Sequence, residues 1–200
     1  MNKYEKAFRV FKRHYTLVPL EIFGSDPYRT LVSTLMSART KDDTTLLAAE
    51  RLFERAPNIK ALNRLNESKI RNLIYPVGFY KTKAKHIKKL SEIILKKFGS
   101  RVPSTQKELT TLPGVGIKTA NLVLNRAFNI PAIAVDTHVH RISNLLGWVH
   151  TKTPEQTERE LVKILPKRYW SDMNKLFVSI GRRFTSNSKL TEFLKKEALI

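Results

Sequence analysis

Leu112-Pro113-Gly114-Val115-Gly116-Ile117-Lys118-Thr119-Ala120 is the stretch that decides how this chain is read. A short helical run, Ser104 to Thr110, precedes it. A run over 117–128 follows, with Ala120, Val123, Leu124 and Ala127 at helical spacing. Two glycines flanking one apolar residue let the backbone turn tightly through positive φ. They also leave N–H groups bare at a helix start, where a phosphate can approach. Val115 is placed to plug the core and hold the turn rigid. Helix, glycine hairpin, helix is therefore a device that grips a nucleic-acid backbone without reading its sequence. Gly-x-Gly alone is common between paired helices. The Leu-Pro before it and the Lys-Thr-Ala after it make the pattern specific.

Outward from the hairpin, the sequence is helix after helix. Segment 41–56 has Leu46, Leu47, Ala49, Leu52, Phe53 and Ala56 at helical spacing, with Thr40 as N-cap and Asp43 three residues on. Segment 83–98 has Ala84, Ile87, Leu90, Ile93, Ile94 and Phe98, with Thr82 before it and Gly99 as its stop. Lys83, Lys85, Lys88, Lys89, Lys96 and Lys97 form its other face, either solvated or touching phosphates. Further helices are expected over 137–147, 154–165 and 171–184, the second opened by Thr153, Pro154 and Gln156. Strand-like alternation is nearly absent, Ala132 to Val135 being apolar but short. The fold class is all-α.

Charge narrows the partners. Lys and Arg number 37 against 17 Asp and Glu, a net charge of +20. Such a field attracts polyanions, nucleic acid first and an acidic membrane surface second. Nothing resembling an amphipathic membrane anchor supports the second, and no stretch approaches the roughly 18 apolar residues of a membrane span. The charged start, Met1 to Thr16, lacks the apolar core of a secretory signal, so a cytoplasmic, nucleoid-associated protein is expected. The chain contains no cysteine, which excludes disulfides, cysteine zinc sites and thiolate-held iron–sulfur clusters. Its histidines, His14, His86, His138, His140 and His150, show no HExxH spacing, and no metal site is expected.

The sequence resembles the endonuclease III family of helix-hairpin-helix DNA glycosylases. The segments that carry the resemblance are Leu35 to Asp42, Val77 to Ala84, Leu112 to Asn121, Ala134 to Arg141, and Gly181-Arg182, in the family's order and at close to its spacing. It implies two helical lobes with DNA in the cleft between them. One would cover 20–130 and hold the helix-hairpin-helix of about 104–128. The other would join 1–19 to 131–200 and carry the catalytic aspartate. The expected substrate is a damaged base, by family default an oxidised pyrimidine, in double-stranded DNA, and the expected state is a monomer.

By itself Lys118 reads as a phosphate-binding lysine. The positive end of the helix dipole disfavours an ammonium at that position, and burial in a cleft would favour the neutral amine further. The resemblance gives Lys118 the role of nucleophile, forming a Schiff base with the sugar. Asp136 reads as an N-cap, and the resemblance makes it also the catalytic carboxylate, facing Lys118 across the mouth of the cleft. Leu112, Pro113, Gly114, Val115, Gly116, Ile117 and Thr119 become DNA contacts by the same token. Arg39 and Phe79 match the residues that fill the hole left by a flipped base. Arg39 stands where glutamine is common, and Phe79 reads equally as a base wedge or as core. His138 would line the pocket or touch a phosphate.

The chain departs from typical members at its end. Those carry a [4Fe–4S] cluster on four cysteines, whereas Gly181-Arg182-Arg183-Phe184-Thr185-Ser186 continues only to Ile200. No cofactor is expected, a monovalent cation at the hairpin excepted. Arg182, Arg183, Lys189, Lys195 and Lys196 are candidates for C-terminal DNA contacts. The rival readings are a monofunctional mismatch or photoproduct glycosylase and a hairpin protein that binds DNA without chemistry. Lys118 disfavours the first without excluding it, and Lys118 and Asp136 together argue against the second.

Overall fold

A computed structural model describes residues 2–200, and among these there are twelve α-helices and no strand. The helices are α1 (Lys3–Arg13), α2 (Pro27–Ser37), α3 (Asp42–Arg55), α4 (Ile59–Arg64), α5 (Glu67–Ile74), α6 (Tyr80–Lys97), α7 (Gln106–Leu109), α8 (Ile117–Phe128), α9 (Thr137–Leu145), α10 (Pro154–Ile164), α11 (Trp170–Arg183) and α12 (Asn187–Lys196). Short 3-10 turns cover Pro19–Phe23 and Lys167–Tyr169. Among the described residues no helix is long and apolar enough to cross a membrane. The chain divides into two compact units, Pro19–Ile130 and Met1–Val18 with Pro131–Ile200.

The Pro19–Ile130 unit is organised by α2. Asp26 caps its start, accepting from Arg29 N at 3.0 Å, and Pro27 supplies the preset φ of the first turn. Tyr28, Thr30, Leu31, Val32, Ser33, Thr34, Leu35 and Met36 are all buried. A helix covered on every side needs no polar face. Its covering comes from α3, α6, α8 and the Pro19–Phe23 turn, while α4 and α5 pack on α6.

The second unit is held by aromatic side chains. Phe11 meets Phe177 edge-on at 5.1 Å between ring centroids, and Phe8 stacks on Tyr169 at 4.5 Å. Fully burying such a side chain stabilises by about 1.5–3 kcal/mol. Helix α12 adds Leu190, Phe193 and Leu194 to this core, with Phe193 stacked on Phe184 at 4.5 Å. Arg141 forks onto the end of α11, donating to Gly181 O at 3.1 Å and Phe184 O at 2.7 Å, a cation where orphan carbonyls gather.

Two helix starts differ from the sequence expectation. Helix α3 begins at Asp42 with Lys41 as its uncapped N-cap residue, because the Thr40 hydroxyl is engaged elsewhere. Helix α6 begins at Tyr80, so Thr82 lies inside its first turn and the N-cap position belongs to Phe79. Ala132 to Val135 is buried but forms no strand.

Helices α9 and α11 touch where Gly181 lies under the His138 ring. A Cβ on Gly181 would sit 2.3 Å from His138 Nδ1 and 2.8 Å from its Cβ. The near atoms include the root of the side chain, so rotation does not relieve the clash. Gly181→Ala is expected to destabilise the protein by about 1–3 kcal/mol through overpacking. Urea denaturation measures this, and an unchanged midpoint would contradict the packing described.

Candidate active site

The hairpin is built from α7, the turn 110–116 and α8. Thr105 caps α7, accepting from Glu108 N at 3.2 Å. Gln106 Nε2 donates to Asn121 Oδ1 at 2.7 Å, tying α7 to α8. Leu112 and Val115 are buried, so they anchor the turn from inside. The two glycines have different roles. Gly114 has φ of +78°, and a Cβ there would meet His86 Nδ1 at 2.6 Å. Gly116 is extended, with φ −89° and ψ 178°, and a Cβ there would meet nothing within 4 Å. The positive φ expected of the turn is thus carried by Gly114. Gly116 occupies the N-cap position of α8, and no side chain caps that helix. Its first-turn amides are therefore left for solvent or a ligand. Pro113 and Thr119 are half-buried beside them, and Ile117 is exposed.

Lys118 is the second residue of α8 and is exposed. The expected burial of this lysine is not found in the protein alone.

Asp136 caps α9. Its Oδ1 accepts from both His138 N and Val139 N at 2.9 Å. Two bonds to one oxygen fix the carboxylate plane, and Oδ2 has no donor among the described residues. Capping and availability for chemistry thus coexist in one side chain. His138, two residues on, is half-buried with its ring against Gly181. Arg182, Arg183, Lys189, Lys195 and Lys196 are exposed.

Arg39 and Phe79 are both exposed and both left-handed, with φ of 55° and 56°. Phe79 is 62% exposed, which removes the reading of it as core. The Arg39 guanidinium lies 5.7 Å from the Phe79 ring centroid. A left-handed non-glycine residue costs about 1–2 kcal/mol, so both positions are imposed by their surroundings.

Lys83 imposes part of that geometry, and it is neither solvated nor placed to touch a phosphate, the two expectations for its lysine face. It is only 6% exposed, and Nζ donates to Met36 O at 2.6 Å, Ala38 O at 2.6 Å and Thr40 Oγ1 at 3.1 Å. Burial pushes its ammonium down to about 8 from 10.5. A signal was present: Lys83 precedes Ile87, Leu90 and Ile94 on the same helical stripe, all of them buried. Lys88 also departs from the solvated reading, donating to Asn63 O at 2.7 Å.

Among the described residues no three histidine, aspartate or glutamate side chains gather to hold a metal ion. A thiolate-held cluster has no ligands in a chain without cysteine. The segment after Gly181-Arg182 instead turns into α12, packed through Phe184, Leu190, Phe193 and Leu194.

Residues 32–167 match the HhH-GPD superfamily base excision DNA repair protein family. Endonuclease III of Thermotoga maritima is 48% identical over 159 residues, 80% of this chain and 75% of that protein. Endonuclease III-like protein 1 of Gallus gallus is 42% identical over 78% of this chain, and the match spans 57% of that longer protein. A trapped endonuclease III–DNA covalent intermediate superposes with a TM-score of 0.79 at 30% identity, covering 93% of this chain and 89% of that one.

Phe79→Gly should be more stable than Phe79→Ala by about 1 kcal/mol, since glycine adopts the left-handed region without strain; equal denaturation midpoints would show that the strain is absent. Gly116→Ala should cost less than about 1 kcal/mol of stability, the scale of a lost N-cap preference, yet weaken DNA binding in a fluorescence-anisotropy titration. Gly114→Ala should destabilise the fold itself. Unaltered DNA affinity in Gly116→Ala would exclude the hairpin as the anchor.

Proposed function

Because the chain belongs to the HhH-GPD superfamily of base excision DNA repair proteins, as a homologue of endonuclease III, we propose that it is a bifunctional DNA glycosylase and AP lyase. Its substrates on this reading are oxidised pyrimidines in duplex DNA, and it works as a monomer at the nucleoid. DNA is the partner that the relatives and the +20 charge both indicate.

The observation that carries the reading is the exposed Lys118 amine beside the open Gly116 and the uncapped start of α8. The amides and basic surface hold phosphates. The damaged nucleotide leaves the stack, at a cost of roughly a few kcal/mol that is least for a damaged base. The neutral Lys118 amine attacks C1′, the C1′–N bond to the base breaks, and the base departs with a proton. The C1′–O4′ bond then breaks, O4′ takes a proton and the sugar ring opens, so that the amine nitrogen and C1′ share an iminium, which acidifies the C2′ proton. Loss of that proton expels the 3′ phosphate by β-elimination and nicks the strand. Water later hydrolyses the imine and frees the lysine. Asp136, its plane fixed by the α9 amides, opposes the positive charge that grows on the sugar and takes part in proton transfer.

A monovalent cation at the hairpin is the one cofactor this reading allows. With no thiolate in the chain, activity is expected without iron.

Borohydride reduces an imine to a stable amine, so the protein should cross-link to lesion-containing duplex when the reductant is present. Lys118→Gln should lose both cross-linking and strand cleavage while retaining affinity. Asp136→Asn should slow base removal by about 10²–10³-fold, the scale of losing one electrostatic stabiliser, with a smaller effect on pre-formed abasic sites. Peptide mass mapping decides the assignment. An adduct on another lysine, or normal trapping by Lys118→Gln, would rule out Lys118 as the nucleophile. Base release without any adduct would favour a monofunctional glycosylase.

A further inference from the structure

Arg39 and Phe79 lie on separate loops whose nearest tether, Gly78 N to Thr40 Oγ1 at 3.1 Å, joins residues 38 positions apart. Exposed loop residues ordinarily sample many conformations, yet both of these hold left-handed backbones with their side chains together. The hydrogen bonds around them converge on one residue. The Lys83 ammonium donates to Ala38 O, immediately before Arg39, and to Thr40 Oγ1, immediately after it. Its remaining bond goes to Met36 O, so three acceptors take the three protons of an ammonium. The backbone N–H of the same residue donates to Phe79 O at 3.0 Å. Gly78 closes the arrangement, since a Cβ there would lie 2.7 Å from Arg39 O.

We propose that Lys83 is a positioning residue for base extrusion. Its side chain fixes Arg39 and its backbone amide fixes Phe79, so the two enter the duplex as one rigid guanidinium–ring unit. This rests on the reading of the chain as an enzyme that extrudes a base. Lys83 itself touches no DNA, being buried, which sets it apart from the surface lysines. Its effect must therefore appear in the extrusion step.

Lys83→Met keeps the length and the apolar stem but has no donor. Thr40→Val keeps the shape and removes the hydroxyl that links Gly78 to the ammonium. Circular dichroism and thermal denaturation check that each variant is folded at the assay temperature. The base analogue 2-aminopurine, placed beside the lesion, brightens when the stack opens. On a lesion in fully paired duplex, Lys83→Met should lose both this signal and cleavage on the order of a hundredfold, the scale of a roughly 1 Å misplacement. Thr40→Val should follow in the same direction with a smaller loss. When the lesion sits in a bubble of mispaired bases, where extrusion is largely done beforehand, both defects should shrink by about tenfold or more.

Equal losses on paired and bubble substrates would make Lys83 a purely structural residue and overturn the inference. Wild-type extrusion by folded Lys83→Met would overturn it too. If Lys83→Met does not fold, Thr40→Val decides by the same ratio of substrates. A wild-type protein that neither releases a base nor brightens 2-aminopurine on either substrate would sink the proposed function, and this inference with it. That outcome is distinct from any ratio the variants can give.

Discussion

A helix buried on every side has nowhere to turn its last carbonyls. Helix α2 meets this constraint, and the loops at its end are shaped by the solution. Leaving a buried carbonyl unpaired costs about 1–3 kcal/mol. The donor for Met36 O and Ala38 O is the ammonium of Lys83 from α6, a cation at the negative end of the α2 dipole. Burial opposes the charge, and the three acceptors and the dipole favour it. Because the donor comes from another helix, the end of α2 and the start of α6 must keep one register. The two exposed loops emerge from that junction, and their left-handed residues follow from it.

The same difficulty, orphan amides at a helix start, is met in opposite ways at the two candidate catalytic positions. Helix α9 is closed by Asp136, which gives both local bonds to one oxygen and holds the other ready. Helix α8 is left open behind Gly116, where the fold itself would accommodate a methyl group. One arrangement fixes an anion of the protein, and the other leaves amides open to an anion from outside. The proposed reaction uses both, a carboxylate held still and a grip on phosphate that leaves the neighbouring lysine free.

Helices with one wet face were legible from the sequence. The stripe over 117–128 became α8 with the same bounds, and Thr153-Pro154 opened α10 as its residue types require. Helix α2 was missed because nearly all of it is buried, so no polar face alternates with an apolar one. Helices α4 and α5, of 6 and 8 residues, are too short for a period to stand out. Thr40 was misread because its hydroxyl bonds to Gly78 and Lys83, partners remote in sequence, rather than to the helix beside it. Lys83 was misread because lysine is ordinarily solvated, although its position on the Ile87 stripe argued for burial. The hairpin showed itself through glycine. The left-handed backbones of Arg39 and Phe79 left no trace in residue type, since tertiary bonds impose them.

The two units also differ in how they are drawn from the chain. Pro19–Ile130 is one continuous stretch, whereas the other unit needs both ends, with Phe8 and Phe11 of α1 packing beside Phe193 of α12. During synthesis from the N-terminus, the continuous unit has all its residues outside the ribosome well before the last helix emerges. Until Tyr169 and α11 emerge, α1 carries an apolar face that lacks its partners, and Arg13 and His14 wait longer still, for Glu197. The nascent chain is therefore most exposed to aggregation and to chaperone capture at its first helix, far along the sequence from the residues that will relieve it.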